Sequence, residues 1–298
     1  MTMPVNIITL SCAAALASSA AWACGSILWK KIGEQIPPES MNLCRGIIGC
    51  TYLTVPLMFT RLDHLEWTTV MLLALSGFIG ITLGDTFFFR ALVNLGPRQT
   101  SLFGTLTPGF TALAALSFLN EYPSPLAWTG IGLTITGVFW VLKERPASGA
   151  PTGDKRLGLL YCALSAGSTI IAVLLARIAL PSIPSMEATF LRLFFGTLGM
   201  FIWGAGTGRL DGWLVPFKNA QLFKKVALVV AVAVFGGFWL SLFALKHLPT
   251  AIASTLGSTA ALFILPLSAF WLKEKITTRA CLGAAVAVGG VTLIFFGK

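Results

Sequence analysis

Residues 84–141 read GDTFFFRALVNLGPRQTSLFGTLTPGFTALAALSFLNEYPSPLAWTGIGLTITGVFWV. The stretch is mostly apolar, yet it places Asp85, Arg90, Arg98 and Glu121 at set points. A second stretch, residues 237–295, echoes it without a gap at an offset of 153. Gly84 falls on Gly237, Ala91 on Ala244, Leu95 on Leu248 and Ser101 on Ser254. Gly104 falls on Gly257, Glu121 on Glu274, Gly130 on Gly283 and Gly137 on Gly290. Identities of this kind in one register mark a tandem duplication, which has to be recognised before any local reading of the chain.

Working outward, the whole chain of 298 residues is 56% hydrophobic and 11% charged, with mean hydropathy +0.83. A soluble domain is about a quarter charged. A water-soluble fold of this length cannot hide so much apolar surface behind so few charges. The solvent for most of this chain is therefore lipid. The net charge of +10 would suggest nucleic acid in a soluble protein. Here Lys and Arg gather between the apolar runs, so basic cytoplasmic loops explain it and no nucleic-acid partner is expected. The six cysteines all fall in apolar runs without a CxxC pair, which points to buried free thiols. The first run lacks a basic leader and continues to Trp29, so it is expected to stay as a membrane span, not leave as a signal peptide.

A hydrocarbon core of about 30 Å takes roughly 20 apolar residues per helix. Ten windows fit, near 8–29, 40–60, 69–93, 99–119, 125–142, 157–177, 187–206, 225–245, 250–271 and 278–296. The third and eighth are the least clear-cut, because polar residues interrupt their ends. Ser124-Pro125 has the form of an N-cap followed by Pro at the first helical position. Residues 144–156, ERPASGAPTGDKR, have linker composition. The early helices repeat more weakly at an offset of 147: Ser18 on Ser165, Pro37 on Pro184, Arg45 on Arg192 and Gly49 on Gly196. The expected division is a first five-helix repeat over 1–143, a linker over 144–156 and a second repeat over 157–298.

Five helices is an odd number, so the second repeat enters from the opposite face. The expected fold class is an all-α polytopic membrane protein with ten transmembrane helices in two inverted five-helix repeats. Inverted repeats of this kind are a mark of secondary transporters, with substrate near the midplane. Of the 21 Lys and Arg, fifteen lie at one set of helix ends and four at the other, Arg45 and Arg192 lying within spans. Under the positive-inside rule this puts both termini outside a cytoplasmic, or inner, membrane.

These residues resemble the drug/metabolite transporter superfamily, in particular its ten-helix EamA-type members. Gly84-Asp85 with Phe88-Phe89 and Ala91-Leu92 is similar to that family's third helix, and Leu95-Gly96-Pro97 through Pro108 to the loop and helix that follow. Leu119 and Glu121 with Gly130 and Gly137, and Leu272 and Glu274 with Gly283 and Gly290, are similar to the ends of two EamA units. The resemblance implies a gradient-driven carrier of small metabolites, amino acids or drugs. In the second unit Gly237-Phe238 replaces Gly84-Asp85, so any role of Asp85 is not duplicated. Independently, the chain has no GxxxxGK[ST], HExxH or GxSxG motif, so no enzyme activity, cofactor or metal is expected.

The candidate site residues are polar or aromatic groups inside apolar spans. Arg45 and Arg192 sit about a turn and a half into equivalent helices. They either anchor at the interface by snorkelling, or line a cavity near its two mouths and attract a carboxylate. Asp85 is the acid deepest in a span. It either forms an ion pair with Arg45 or Arg90, or couples transport to protons. Glu121 and Glu274 precede helices five and ten, where the helix dipole favours an acid. Trp22 and Trp239 lie inside spans, whereas Trp29, Trp67, Trp128, Trp213 and Trp271 fit interfacial belts. Ser18 and Trp22 share a face with Gly25, and Ser165 and Thr169 make the matching face of helix six. Thr105 and Ser258 add hydroxyls, which either line a cavity or bond their own helix.

The expected function is secondary transport, in the direction of export, of a small carboxylate-bearing or amino-acid-like metabolite by alternating access. The expected partners are that metabolite, the lipid bilayer, a proton or other coupling ion, and a second copy in a homodimer. A lipid or glycolipid flippase on the same fold, and a membrane sensor, are the alternatives.

Overall fold

A computed structural model describes residues 5–59, 66–104, 107–143, 153–260, 262–264, 266–267 and 278–296. Among the described residues there is helix and no strand. In chain order the helices are α1 (Val5–Ile32), α2 (Pro38–Leu57), α3 (Trp67–Gly77), α4 (Thr86–Gly104), α5 (Thr107–Leu119) and α6 (Pro125–Lys143). The second half holds α7 (Lys155–Ala179), α8 (Ser185–Gly206), two short helices α9 (Leu210–Trp213) and α10 (Val215–Lys218), then α11 (Ala220–Ala231), α12 (Leu240–His247), α13 (Thr250–Ser258) and α14 (Thr278–Phe296). Each of the ten expected windows is helical over nearly all its described residues. Five helical runs are long and apolar enough by themselves to cross a membrane: 7–32, 67–96, 155–182, 185–206 and 220–247. The protein is a multi-pass membrane protein, and side chains such as Phe118 and Leu228 are exposed on its surface for lipid to cover.

The two windows with interrupted ends turn out to be continuous through wide turns. Phe78–Asp85 joins α3 to α4 as a π-helical segment, and Val232–Trp239 joins α11 to α12 in the same way. The two segments are equivalent by the repeat. A π-helical turn carries an extra residue and is frequent at functional sites. Close packing accompanies it: a side chain at Gly84 would meet Ser168 at 3.1 Å, and one at Gly236 would meet Ala21 at 2.8 Å. The third and fourth spans are separated inside α4 by Gly96 alone, at φ 78°. Glycine adopts that left-handed conformation without strain, and the proline after it restarts the helix.

The packing is the same when the two repeats are exchanged. Helix α1 lies against α12 and α13, and its counterpart α7 lies against α4 and α5. Helix α2 pairs with its own counterpart α8, and α6 with α14. The glycines show the direction of these pairs. A Cβ on Gly130 would strike Gly290 O at 2.7 Å, and one on Gly137 would strike Gly283 O at 2.6 Å. The residue numbers rise on one helix as they fall on the other, so α6 and α14 are antiparallel. In the same way Gly49 meets Leu193, and Gly46 meets Thr197. Equivalent helices running in opposite directions are the direct mark of inverted repeats. Small residues permit this close approach where lipid supplies no hydrophobic drive between helices.

Helix ends follow local sequence. Ser124 Oγ accepts from the Ala127 N–H at 3.2 Å, as its N-cap reading requires. Asp154 caps α7 and Asn219 caps α11. The five cysteines with described side chains are free thiols. Two tryptophans depart from the belt expectation. Trp29 is 1% exposed and packs edge-on against Phe89, and Trp213 is buried with Leu43 and Met200. The helices that flank these positions close over them, so these two side chains meet protein where Trp67 meets the surroundings. Of the linker, residues 144–152 lie outside the described residues.

Candidate functional site

Antiparallel α2 and α8 bring the two halves' arginines to the middle of the molecule. Gly49 lies level with Leu193, so Arg45 and Arg192 stand on levels about 8 Å apart at 1.5 Å rise per residue. They straddle the midpoint of α2 and do not sit at two separate mouths. Arg45 is fully buried and Arg192 is 9% exposed.

Arg45 is held through one terminal nitrogen and by two aromatic rings. Its Nη2 donates to Asp85 Oδ2 at 2.5 Å and to Asn42 Oδ1 at 2.5 Å. Asn42 is fixed in turn, because its Nδ2 donates to Ile81 O at 2.6 Å and to Thr86 Oγ1 at 2.9 Å. The guanidinium lies over the rings of Phe89, at 5.1 Å, and Phe238, at 5.0 Å. Cation–π contact of this kind strengthens as water is excluded. Phe238 is itself held edge-on by Trp22, with centroids 4.9 Å apart. Arg45 Nε and Nη1 have no acceptor.

Asp85 therefore does form the ion pair with Arg45 that its position allowed. Arg90 instead pairs with Glu39, at 2.7 Å through Nε, and lies over Tyr161 and Trp203. The Asp85 side chain keeps 20% exposure, and it also lies within Coulombic reach of Arg192. Asp85 thus pairs with one guanidinium and lies in the field of a second. Buried charge of this kind is costly unless it is paired and hydrogen-bonded. Arg192 Nε finds no acceptor, and its terminal nitrogens make no hydrogen bond among the described residues.

The remaining candidates divide. Ser18 Oγ donates to Gly237 O at 2.8 Å, which ties α1 to the second π-helical segment next to Trp22. Ser165 is buried, with its backbone against Gly84 in the equivalent place. Both therefore sit against the wide turns, Ser18 through a hydrogen bond and Ser165 through packing. Thr169 is exposed on α7. Trp239 is half-buried and closes the second π-helical segment, without a ring partner. Ser258 donates to its own helix at Thr255 O, 2.7 Å away, so its hydroxyl is used locally. Thr105 lies outside the described residues. Asn42 and Phe89 join the cluster without having been anticipated. Asn42 precedes Arg45 by three residues, and that spacing places both on one helix face.

Glu121 does something other than serve its own helix. Its Oε2 accepts from the Thr250 N–H at 2.6 Å, capping the start of α13 in the other repeat. Its Oε1 accepts from Arg177 Nε at 2.8 Å, and Arg177 Nη1 donates to Leu245 O at 2.5 Å at the end of α12. One ion pair thus closes both ends of the α12–α13 turn. Lys30, the counterpart of Arg177, donates to Val93 O at 3.1 Å, the counterpart of Lys246. Glu274, the counterpart of Glu121, lies outside the described residues.

The sequence model of the EamA-like transporter family matches residues 9–143 and 156–296. The chain is 24% identical over 278 residues to the uncharacterized transporter sll1319 of Synechocystis sp., covering 91% of this chain and 72% of that one. It is similar in fold to a protein of known crystal structure at TM-score 0.68 and 16% identity, with 93% of this chain and 95% of the other aligned.

Proposed function

The chain belongs to the EamA-like transporter family, and from that premise we propose that it exports a small carboxylate-bearing metabolite, amino-acid-like in size, by alternating access across the cytoplasmic membrane. The observation that carries the substrate class is the excess of cation at the centre. Arg45 pairs with Asp85, Arg192 lies in the field of that carboxylate, and three buried nitrogens of the two arginines have no acceptor among the described residues. A dedicated organic-cation carrier would need the opposite balance. A planar guanidinium suits a carboxylate, which it can bind through two parallel hydrogen bonds. The chemistry needed is binding and release, so the protein works as a carrier and not as an enzyme.

The two repeats, 1–143 and 157–298, move against each other in this reading, with residues 144–156 as the connector. Asp85 is the group through which a proton couples to the cycle. The charged groups that face it are Arg45 on α2 and Arg192 on α8. Protonation of Asp85 would lift its field from Arg192 and so change the hold of that guanidinium on a substrate carboxylate. Self-association into a homodimer would use the outer faces of α6 and α14, away from this cluster.

The test is reconstitution of the full chain in proteoliposomes, with labelled neutral amino acids and organic cations supplied in parallel. Exchange of amino acids without cations is expected, and transport of cations alone overturns the reading. A pH gradient should drive the wild type and fail to drive Asp85→Asn, with both proteins equally well folded by gel filtration. Unchanged pH dependence in that variant removes proton coupling through Asp85.

A further inference from the structure

The duplication gives each arginine a defined set of equivalent neighbours, and the two sets are not alike. Arg45 has acceptors at both of its equivalent places, Asn42 at 2.5 Å and Asp85 at 2.5 Å. The same two places around Arg192 hold Thr189 and Phe238. Thr189 Oγ1 donates to Ser185 O at 2.6 Å, within its own helix. Phe238 has no acceptor to offer, and its ring lies on Arg45 instead. Arg192 is therefore left with an unpartnered Nε and with only the longer-range field of Asp85, which Arg45 already holds. Gly80 lies beside it, where a Cβ would stand 3.4 Å from Arg192 Nη2 and 2.7 Å from the Ala172 Cβ.

We infer that Arg192 alone receives the anionic group of the transported molecule, and that Arg45 is a positioning residue that fixes Asp85 and the Phe238 ring around it. The ligand class is a small carboxylate, for which a buried guanidinium without acceptors is the complement. Phe238 is what keeps the place open. A carboxylate at that position would repeat the Arg45–Asp85 pair on Arg192 and fill the site from within the chain. The anion site stands on the geometry alone, and only its part in transport rests on the function proposed above.

The experiment is thermal unfolding of the purified full chain in detergent with rising sodium acetate, sodium chloride holding ionic strength constant. Acetate should raise the wild-type midpoint by several degrees in a saturable way. The shift should vanish in Arg192→Gln and in Phe238→Asp, weaken in Arg192→Lys and persist in Arg45→Lys. Phe238→Asp adds an acceptor at the cost of the ring contacts with Arg45 and Trp22, and Arg192→Lys keeps the charge in place, so these two variants keep the test decisive if Arg192→Gln fails to fold. An acetate shift retained in both variants, or no acetate-specific shift in the wild type, overturns the inference. Proteoliposomes separate the two claims. Amino-acid exchange that survives Arg192→Gln sinks this assignment and leaves the transport reading intact. An acetate shift that depends on Arg192 without exchange of any amino acid sinks the transport reading and leaves the anion site.

Discussion

At the scale of single residues, the pair Arg45–Asp85 is the costliest feature of the interior and the most sensitive to change. Removing one partner of a buried pair leaves an uncompensated charge and costs about 3–5 kcal/mol. Arg45→Leu should lower the midpoint of thermal unfolding in detergent far more than Asp85→Asn, because Asn still offers Arg45 an acceptor. The double variant Arg45→Leu with Asp85→Leu should recover much of the loss. A double variant no more stable than Arg45→Leu alone would show that the pair is not what holds this region. Reading the residues alone reached the ion pair as one of two options for Asp85. It did not reach the aromatic faces on Arg45, because Phe89 and Phe238 come from helices in different repeats. Sequence spacing carries contacts within a helix and is silent on contacts made by the packing of distant ones.

At the scale of elements, glycines and one acid carry the packing. Helices α6 and α14 approach so closely that a side chain at Gly137 would run into the Gly283–Ala287 backbone, whereas Gly132, on the same helix, has open space. Gly137→Leu should abolish recovery of a monodisperse protein and Gly132→Leu should not. Equal recovery of the two by size-exclusion chromatography would mean that this contact is dispensable. Glu121→Ala should cost about 1 kcal/mol for the lost α13 cap and more for the stranded Arg177, read as a lowered unfolding midpoint. Glu121→Gln, which keeps an acceptor for Thr250, should fall between. The Ser124 cap was legible because capping is local. Glu121 was legible as an acid at a helix start, yet the helix it serves belongs to the other repeat.

At the scale of the whole molecule, the echo between residues 84–141 and 237–295 already contains the architecture. An odd repeat requires inversion, and the antiparallel pairs α2–α8 and α6–α14 display it. The π-helical segments were not legible, since a wide turn leaves no period of its own. Only the polar interruptions hinted that those windows were unusual. The Lys and Arg distribution predicts that a phosphatase fused after Lys298 is active outside the cytoplasm. A fusion active only in the cytoplasm would reverse the orientation.

Two guanidinium groups sharing one carboxylate have an electrical consequence. With Asp85 ionised, Arg45, Arg192 and Asp85 together leave the unloaded centre one positive charge, and a bound carboxylate that brings no cation of its own would neutralise it. Reorienting the empty carrier then moves charge through part of the membrane field, at up to about 2.3 kcal/mol per 100 mV for a full crossing. Reorienting the carrier loaded with such an anion moves none. The membrane potential would therefore set the pace of the return step alone, and an inside-negative voltage would hold the unloaded site toward the cytoplasm, where an exported molecule is collected.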